Sequence, residues 1–213
     1  MAAFENPPPG YAPDGQPERL REGLYILVNK KSRSTLDLAG GWHGPGTHVL
    51  GFEQHIEWDN SNQMWHIKQD GLNGTYTLRN LLSGTFLDLE AGNPRNGSQV
   101  VGWPRELRGE SRANQEWHIE EKEPNYYMLQ CSRTNTFLEI PGGNPSNCAD
   151  VKCSELSYYN DHQLWSLDLA SRTGAEIKEL FMSWKPSLLP QIFQLYAEST
   201  QYPASLRPRS QLR

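Results

Sequence analysis

The 213-residue sequence predicts an all-β fold built from three similar units, each with four short strands. Two observations carry this prediction. A set of apolar and turn-forming residues recurs three times at near-constant spacing, and the composition is that of a turn-rich β protein. Glycine (18 residues) and proline (15) are plentiful, whereas charged residues make up 21% of the chain. This pattern is typical of short strands separated by turns.

The repeat is visible from the first strand of each unit. These strands begin at Tyr25, Tyr76 and Tyr127, a spacing of 51 residues. The second strands each precede a glycine-containing turn, and they are Leu36-Asp37-Leu38, Leu87-Asp88-Leu89 and Leu138-Glu139-Ile140. The third strands keep the same spacing, at 48–51, 99–102 and 150–153. Each unit closes with a Gln-x-Trp tripeptide, at 63–65, 115–117 and 163–165.

Three units of this kind predict twelve strands around one core. A four-stranded unit cannot bury its own apolar face, so neighbouring units must pack against one another. A barrel with pseudo-threefold symmetry, the β-trefoil, fits this count. The spacing also approaches that of propeller blades, but three blades are fewer than a closed propeller needs.

The three motif tryptophans, Trp65, Trp117 and Trp165, alternate with aliphatic residues two positions later. Alternation of this kind places both side chains on one strand face, so we expect these indoles to pack in the core. The preceding glutamines are expected to hold turn backbone through their side-chain amides.

The Gln-x-Trp motifs, each closing a unit with a Leu-Asp-Leu-like strand and a following glycine, resemble the ricin-B-type lectin family. The resemblance covers about residues 23–168 and is nearest to fungal members that lack a signal peptide. It implies a β-trefoil that binds galactose or N-acetylgalactosamine glycans and is not an enzyme. It also implies a site made of an aspartate, an aromatic residue on a later turn and an Asn-Gln pair.

These residue types suit sugar recognition. A carboxylate can accept bonds from two adjacent hydroxyls, and an exposed ring can stack on the apolar face of a pyranose. The matching residues in the second unit are Asp88, Trp103, Asn114 and Gln115. Those in the first unit are Asp37, Phe52, Asn62 and Gln63. We therefore expect two sites, with the second stronger because an indole offers more stacking area than a phenyl ring.

The third unit departs from this pattern, with Glu139, Ser154 and His162 in place of the aspartate, the aromatic residue and the asparagine. We expect little sugar binding there. The unit also contains all three cysteines, Cys131, Cys148 and Cys153. Reduced thiols are expected, with Cys131 packed as a small hydrophobe. A Cys148–Cys153 bridge remains the alternative.

Other function classes find little support in the sequence. The net charge is −5, so the sequence does not indicate the positive surface charge that nucleic-acid binding requires. No apolar run is long enough for a membrane-spanning helix. The six histidines show no metal-ligand spacing, so no metal or cofactor is expected. Asp37 and Asp88 belong to separate units, so their two carboxyl groups are expected to lie too far apart for glycoside hydrolysis.

The two ends differ from the repeats. Residues 1–22 are rich in proline and are expected to be disordered. Residues 169–213 are expected to be partly helical, with a helix over 173–184 that either packs on the barrel or mediates self-association.

The N-terminus shows no secretory signal, which predicts a cytoplasmic protein, with non-classical secretion as the alternative. A β-trefoil protease inhibitor and an adaptor acting through the C-terminal apolar segment are the competing functions.

Overall fold

The computed structural model describes residues 20–55, 60–69 and 74–170. The described part holds thirteen strands. In the first unit they are β1 (Gly23–Asn29), β2 (Thr35–Leu38), β3 (Thr47–Phe52) and β4 (Met64–Gln69). In the second they are β5 (Tyr76–Asn80), β6 (Phe86–Leu89), β7 (Ser98–Trp103) and β8 (Trp117–Glu123). In the third they are β9 (Tyr126–Cys131), β10 (Phe137–Glu139), β11 (Ala149–Asp150), β12 (Lys152–Ser154) and β13 (Trp165–Leu169).

The prediction of twelve strands is wrong by one, because the third strand of the last unit is interrupted at Val151. The backbone of this residue bonds to both other units. Its N–H donates to the Val49 carbonyl and its carbonyl accepts from the Val100 N–H, each at 3.4 Å. Val151 is wholly buried, so the interruption places its side chain in the shared core.

Six of the strands close into an antiparallel barrel. β1 pairs with β4 and β13, β4 with β5, β5 with β8, β8 with β9, and β9 with β13. The hairpins β2/β3, β6/β7 and β10/β12 cover one end of this barrel and pair with one another through β3, β7, β11 and β12. The predicted β-trefoil is confirmed.

The main core is formed by buried residues of all three units. Trp65, Trp117 and Trp165 are wholly buried, which confirms their predicted packing role. Each indole Nε1 donates to a backbone carbonyl of the second strand in its own unit, at 2.9 to 3.1 Å. A buried indole needs such an acceptor, and these bonds tie the last strand of each unit to the hairpin above it.

The cysteines are free thiols, as expected for reduced residues. Cys131 and Cys153 are wholly buried in the main core, and Cys148 is half-buried. The first described residues contact the barrel: Leu20 packs against the core and Tyr25 donates to the Arg21 carbonyl.

The predicted helix over 173–184 and most of both predicted tails lie outside the described residues. Within the residues that the structure describes, no helix is long and apolar enough to cross a membrane.

Candidate functional site

The hairpin formed by the second and third strands of each unit sets the position of the candidate side chains. In the second unit the register pairs Asp88 with Val101 and Phe86 with Trp103. Residues directly opposite in an antiparallel pair point to the same face. Asp88 and Trp103 therefore share the face that points away from the core, while Leu87 and Leu89 are on the core side.

A short 3-10 turn follows the aspartate. It spans Glu90–Gly92, and Ala91 and Gly92 have φ values of 55° and 58°. A Cβ atom on Gly92 would lie 2.6 Å from Oδ1 of Asn114. Gly92 thus allows the turn to close against Asn114, which brings the amide of the Asn-Gln pair next to the end of β6.

The glutamines hold the loop between the third and fourth strands. Gln115 Nε2 donates to the Pro104 carbonyl at 2.8 Å, and its Oε1 accepts from the Glu106 N–H at 2.9 Å. Gln63 and Gln163 make the same pair of bonds in their own units. The predicted role of these amides in holding turn backbone is confirmed.

Among the described residues, Asp88 has one side-chain hydrogen-bond partner, Gln115, whereas Asp37 and Glu139 each accept from two side chains. Asp88 is 4% exposed, and burial raises its pKa to about 7. The hydrogen bond from the Gln115 side chain lowers the pKa, and the charges of Glu106 and Glu90 contribute to the net increase.

Trp103 shares the outer face of the hairpin with Asp88, and Asn114 lies beside Gly92 of the turn that follows β6. Trp103 is half-buried, and its Nε1 donates to Oε1 of Glu106 at 3.3 Å. The Oδ1 atom of Asn114 is buried and has no hydrogen-bond partner among the described residues. The second unit therefore combines a partly exposed indole with a carboxyl group whose pKa is near neutrality and an amide oxygen that lacks a donor among the described residues.

The first unit assembles the same four residue types in a closed arrangement. Asn62 Nδ2 and Gln63 Nε2 both donate to Oδ2 of Asp37 at 2.9 Å, and these three residues are wholly buried. The expectation that Phe52 presents an exposed ring is wrong, because the side chain is 3% exposed. Phe52 packs in a small cluster with Ala39, Trp42 and Leu50.

In the third unit, side chains of the same unit bond to the carboxylate of Glu139. Ser154 Oγ donates to Oε1 of Glu139 at 2.7 Å, and Gln163 Nε2 donates to Oε2 at 3.1 Å. His162 Nε2 lies 3.3 Å from the same Oε2. The three residues that depart from the sugar-site pattern thus form one internal network around Glu139, together with Gln163.

Two residues near these sites were not identified from the sequence. Glu106 contacts the Trp103 indole and lies in a loop that differs in length between units, so the repeat gives no signal for it. Trp42 does leave a signal in the sequence, because its equivalents in the second and third units, at successive spacings of 51 residues, are Asn93 and Asn144. A large aromatic residue among polar equivalents marks a difference in the first unit.

No group of histidine, cysteine or carboxylate side chains suited to a metal ion occurs in the described part of the chain. The arrangement of the second unit instead offers hydrogen bonding to hydroxyls beside a flat apolar surface. Such a combination of an aromatic surface and a few fixed polar groups is typical of small-molecule recognition.

Comparison with solved structures places the fold among known lectins. The Rhizoctonia solani agglutinin is 26% identical, with a TM-score of 0.61, covering 72% of this chain and 99% of that one. The Macrolepiota procera ricin B-like lectin, solved in complex with lactose, is 25% identical, with a TM-score of 0.57, covering 72% and 100%. The designed threefold-symmetric protein ThreeFoil is 26% identical, with a TM-score of 0.62, covering 70% and 100%.

Curated protein sequences give no match. The family comparison matches the ricin-type β-trefoil lectin domain-like family over residues 16–103 and 113–179, well over half of the chain. The fold and the lectin relatives together support carbohydrate binding. With its three Gln-x-Trp units and closed barrel, the chain belongs to the ricin-type β-trefoil lectin domain-like family.

Proposed function

We propose that the protein binds glycans ending in galactose or N-acetylgalactosamine, without catalysis, through the second unit. The observation that carries this proposal is the set formed by Asp88, Trp103, Asn114 and Gln115. Its aromatic ring is partly exposed, and its buried amide oxygen lacks a hydrogen-bond partner among the described residues. The Macrolepiota procera lectin, which matches this chain at 25% identity, was solved with lactose.

Each residue has a distinct role in the proposed site. The Asp88 carboxylate accepts bonds from two neighbouring sugar hydroxyls, which reads their relative orientation on the ring. The Trp103 indole stacks on the C–H face of the pyranose. A hydroxyl that donates to Oδ1 of Asn114 removes the cost of that unsatisfied acceptor, about 1–3 kcal/mol. Gln115 holds the loop and supports Asp88.

The proposed affinity for one sugar is weak, on the order of millimolar. A shallow surface site buries little area, and the sugar hydroxyls lose well-ordered water on binding. Tight binding to a cell surface or glycoprotein then requires several contacts at once, through more than one chain or site.

A glycan array with the purified protein tests the ligand class. Binding confined to galactose-terminated or N-acetylgalactosamine-terminated glycans, and lost in Asp88→Asn, supports the proposal. The substitution replaces one acceptor oxygen with a donor that faces a sugar hydroxyl while keeping the side-chain shape. Binding to other terminal sugars refutes the proposed specificity. The absence of binding to any glycan refutes the function and favours an adaptor role.

A further inference from the structure

The first unit contains every residue type of the proposed site, yet its candidate face is closed. Asp37, Asn62 and Gln63 are wholly buried, and Phe52 is 3% exposed. In the second unit Asp88, Asn114 and Gln115 are also buried, at 0 to 7% exposed, but the equivalent aromatic residue, Trp103, is partly exposed. The difference therefore comes from what covers the first unit and not from a missing side chain.

Trp42 packs on this face. The β2/β3 register pairs Asp37 with Leu50, so the two side chains point to the same side of the hairpin. Trp42 is 3% exposed and packs with Leu50 and Phe52 in one cluster. Its indole therefore lies on the face that carries Asp37.

The glycine two residues before Trp42 makes room for the indole. A Cβ atom on Gly40 would lie 2.9 Å from Cε2 of Trp42. Gly40 has a φ of 56°, but this backbone conformation does not itself require glycine, because the equivalent Ala91 adopts a φ of 55° in the second unit. The missing Cβ at Gly40 thus serves the packing of the indole.

The other two units have no such cover. Their equivalents of Trp42 are Asn93 and Asn144, and both are exposed to solvent. The combination of a glycine and a tryptophan two residues later is specific to the first unit.

We propose that the indole of Trp42 is a built-in plug that closes a latent sugar site in the first unit. The latent site consists of Asp37, Asn62 and Gln63, and its ligand is the galactose-type sugar of the second unit, so this inference rests on the proposed function. The indole is a flat apolar ring held against the face on which a pyranose would stack. The plug sets the number of sugars that one chain can hold.

Two substitutions open the site by different routes. Trp42→Asn installs the residue type that the second and third units carry. Gly40→Ala keeps the indole but adds the Cβ that would lie 2.9 Å from it. Titration with methyl β-galactoside is followed by NMR through the side-chain amides of Asn62 and Gln63 for the first unit, and the indole N–H of Trp103 for the second.

We expect the wild type to respond only at Trp103, whereas Trp42→Asn and Gly40→Ala also respond at Asn62 and Gln63. Adding Asp37→Asn to the opened chain should abolish the new response and leave the Trp103 response unchanged. A saturable Trp103 response without any change at Asn62 and Gln63 in both opened variants overturns the plug while the proposed function stands. A response at the first unit alone supports the plug and refutes the second unit as the site.

The reciprocal exchange tests the plug on a surface that tolerates substitution. Ala91→Gly combined with Asn93→Trp gives the second unit the glycine and tryptophan of the first, and Asn93 is exposed. We expect methyl β-galactoside binding at Trp103 to weaken at least tenfold, with unfolding by urea unchanged. Unchanged binding would overturn the plug, and this test does not depend on how well Trp42→Asn folds.

Discussion

The affinity of the second unit for sugar should depend on pH, because Asp88 is buried and titrates near neutrality. Its pKa is raised to about 7 by burial, with further contributions from Glu106 and Glu90. Sugar hydroxyls donate to the ionised carboxylate, so a bound sugar favours the charged form. The charged fraction is about 90% at pH 8 and about 10% at pH 6. The affinity for methyl β-galactoside should therefore fall about tenfold between these pH values.

The assay is an NMR titration of the Trp103 indole N–H at pH 6, 7 and 8. Glu106→Gln is the matched variant, because it keeps an acceptor for the Trp103 indole and removes a charge that raises the pKa of Asp88. Its affinity profile should shift to lower pH. An affinity that stays constant from pH 6 to pH 8, or that increases towards pH 6, would refute the role of the Asp88 carboxylate as an acceptor.

Four further outcomes follow from the same geometry. Trp117→Ala should lower the free energy of unfolding in urea by about 3–5 kcal/mol because it empties the core, while Trp103→Ala should remove sugar binding at a far smaller cost in stability. Gln115→Ala and Gln63→Ala should destabilise the fold by similar amounts, about 1–3 kcal/mol, since each leaves loop groups unpaired; only Gln115→Ala should weaken sugar binding. Gly92→Ala should displace Asn114 and weaken sugar binding. Gly142→Ala is the control, because Gly142 also has a positive φ but an added Cβ would meet no atom within 4 Å. Equal binding in the two variants would contradict this role of Gly92. Between pH 5 and pH 8 the melting temperature of Asp88→Asn should rise relative to that of the wild type. In the wild type, the raised pKa of Asp88 stabilises the fold fully below its unfolded-state pKa of about 4, and this stabilisation is lost as the pH rises through about 7. The variant lacks this carboxyl group and so does not lose the stabilisation.

The fold could be predicted from the sequence because the same pattern of strands and turns occurs in it three times. The tyrosine, Leu-Asp-Leu and Gln-x-Trp elements recur in register, and each has one plausible place in a strand or turn. Trp65, Trp117 and Trp165 could be assigned to the core from alternation alone. The break at Val151 could not, because it depends on backbone bonds to both other units.

The candidate site was predicted less completely. The sequence identifies which residues share a unit. The structure joins Asp37, Asn62 and Gln63 by hydrogen bonds in the first unit and places Asp88 and Trp103 on one hairpin face in the second. The sequence does not reveal whether they are open, because burial depends on neighbours. A ring at Phe52 looks exposed on a turn until Trp42 is packed against it, and the third-unit network around Glu139 likewise requires the fold.

The proposed sugar site of the second unit can be tested by titrating the wild-type protein and Asp88→Asn with methyl β-galactoside while following the indole N–H of Trp103. We expect a saturable change in the wild type, with an affinity on the order of millimolar, and none in Asp88→Asn, whose remaining spectrum should be unchanged. An equal response in both proteins, or no response in the wild type, would contradict a sugar site in the second unit.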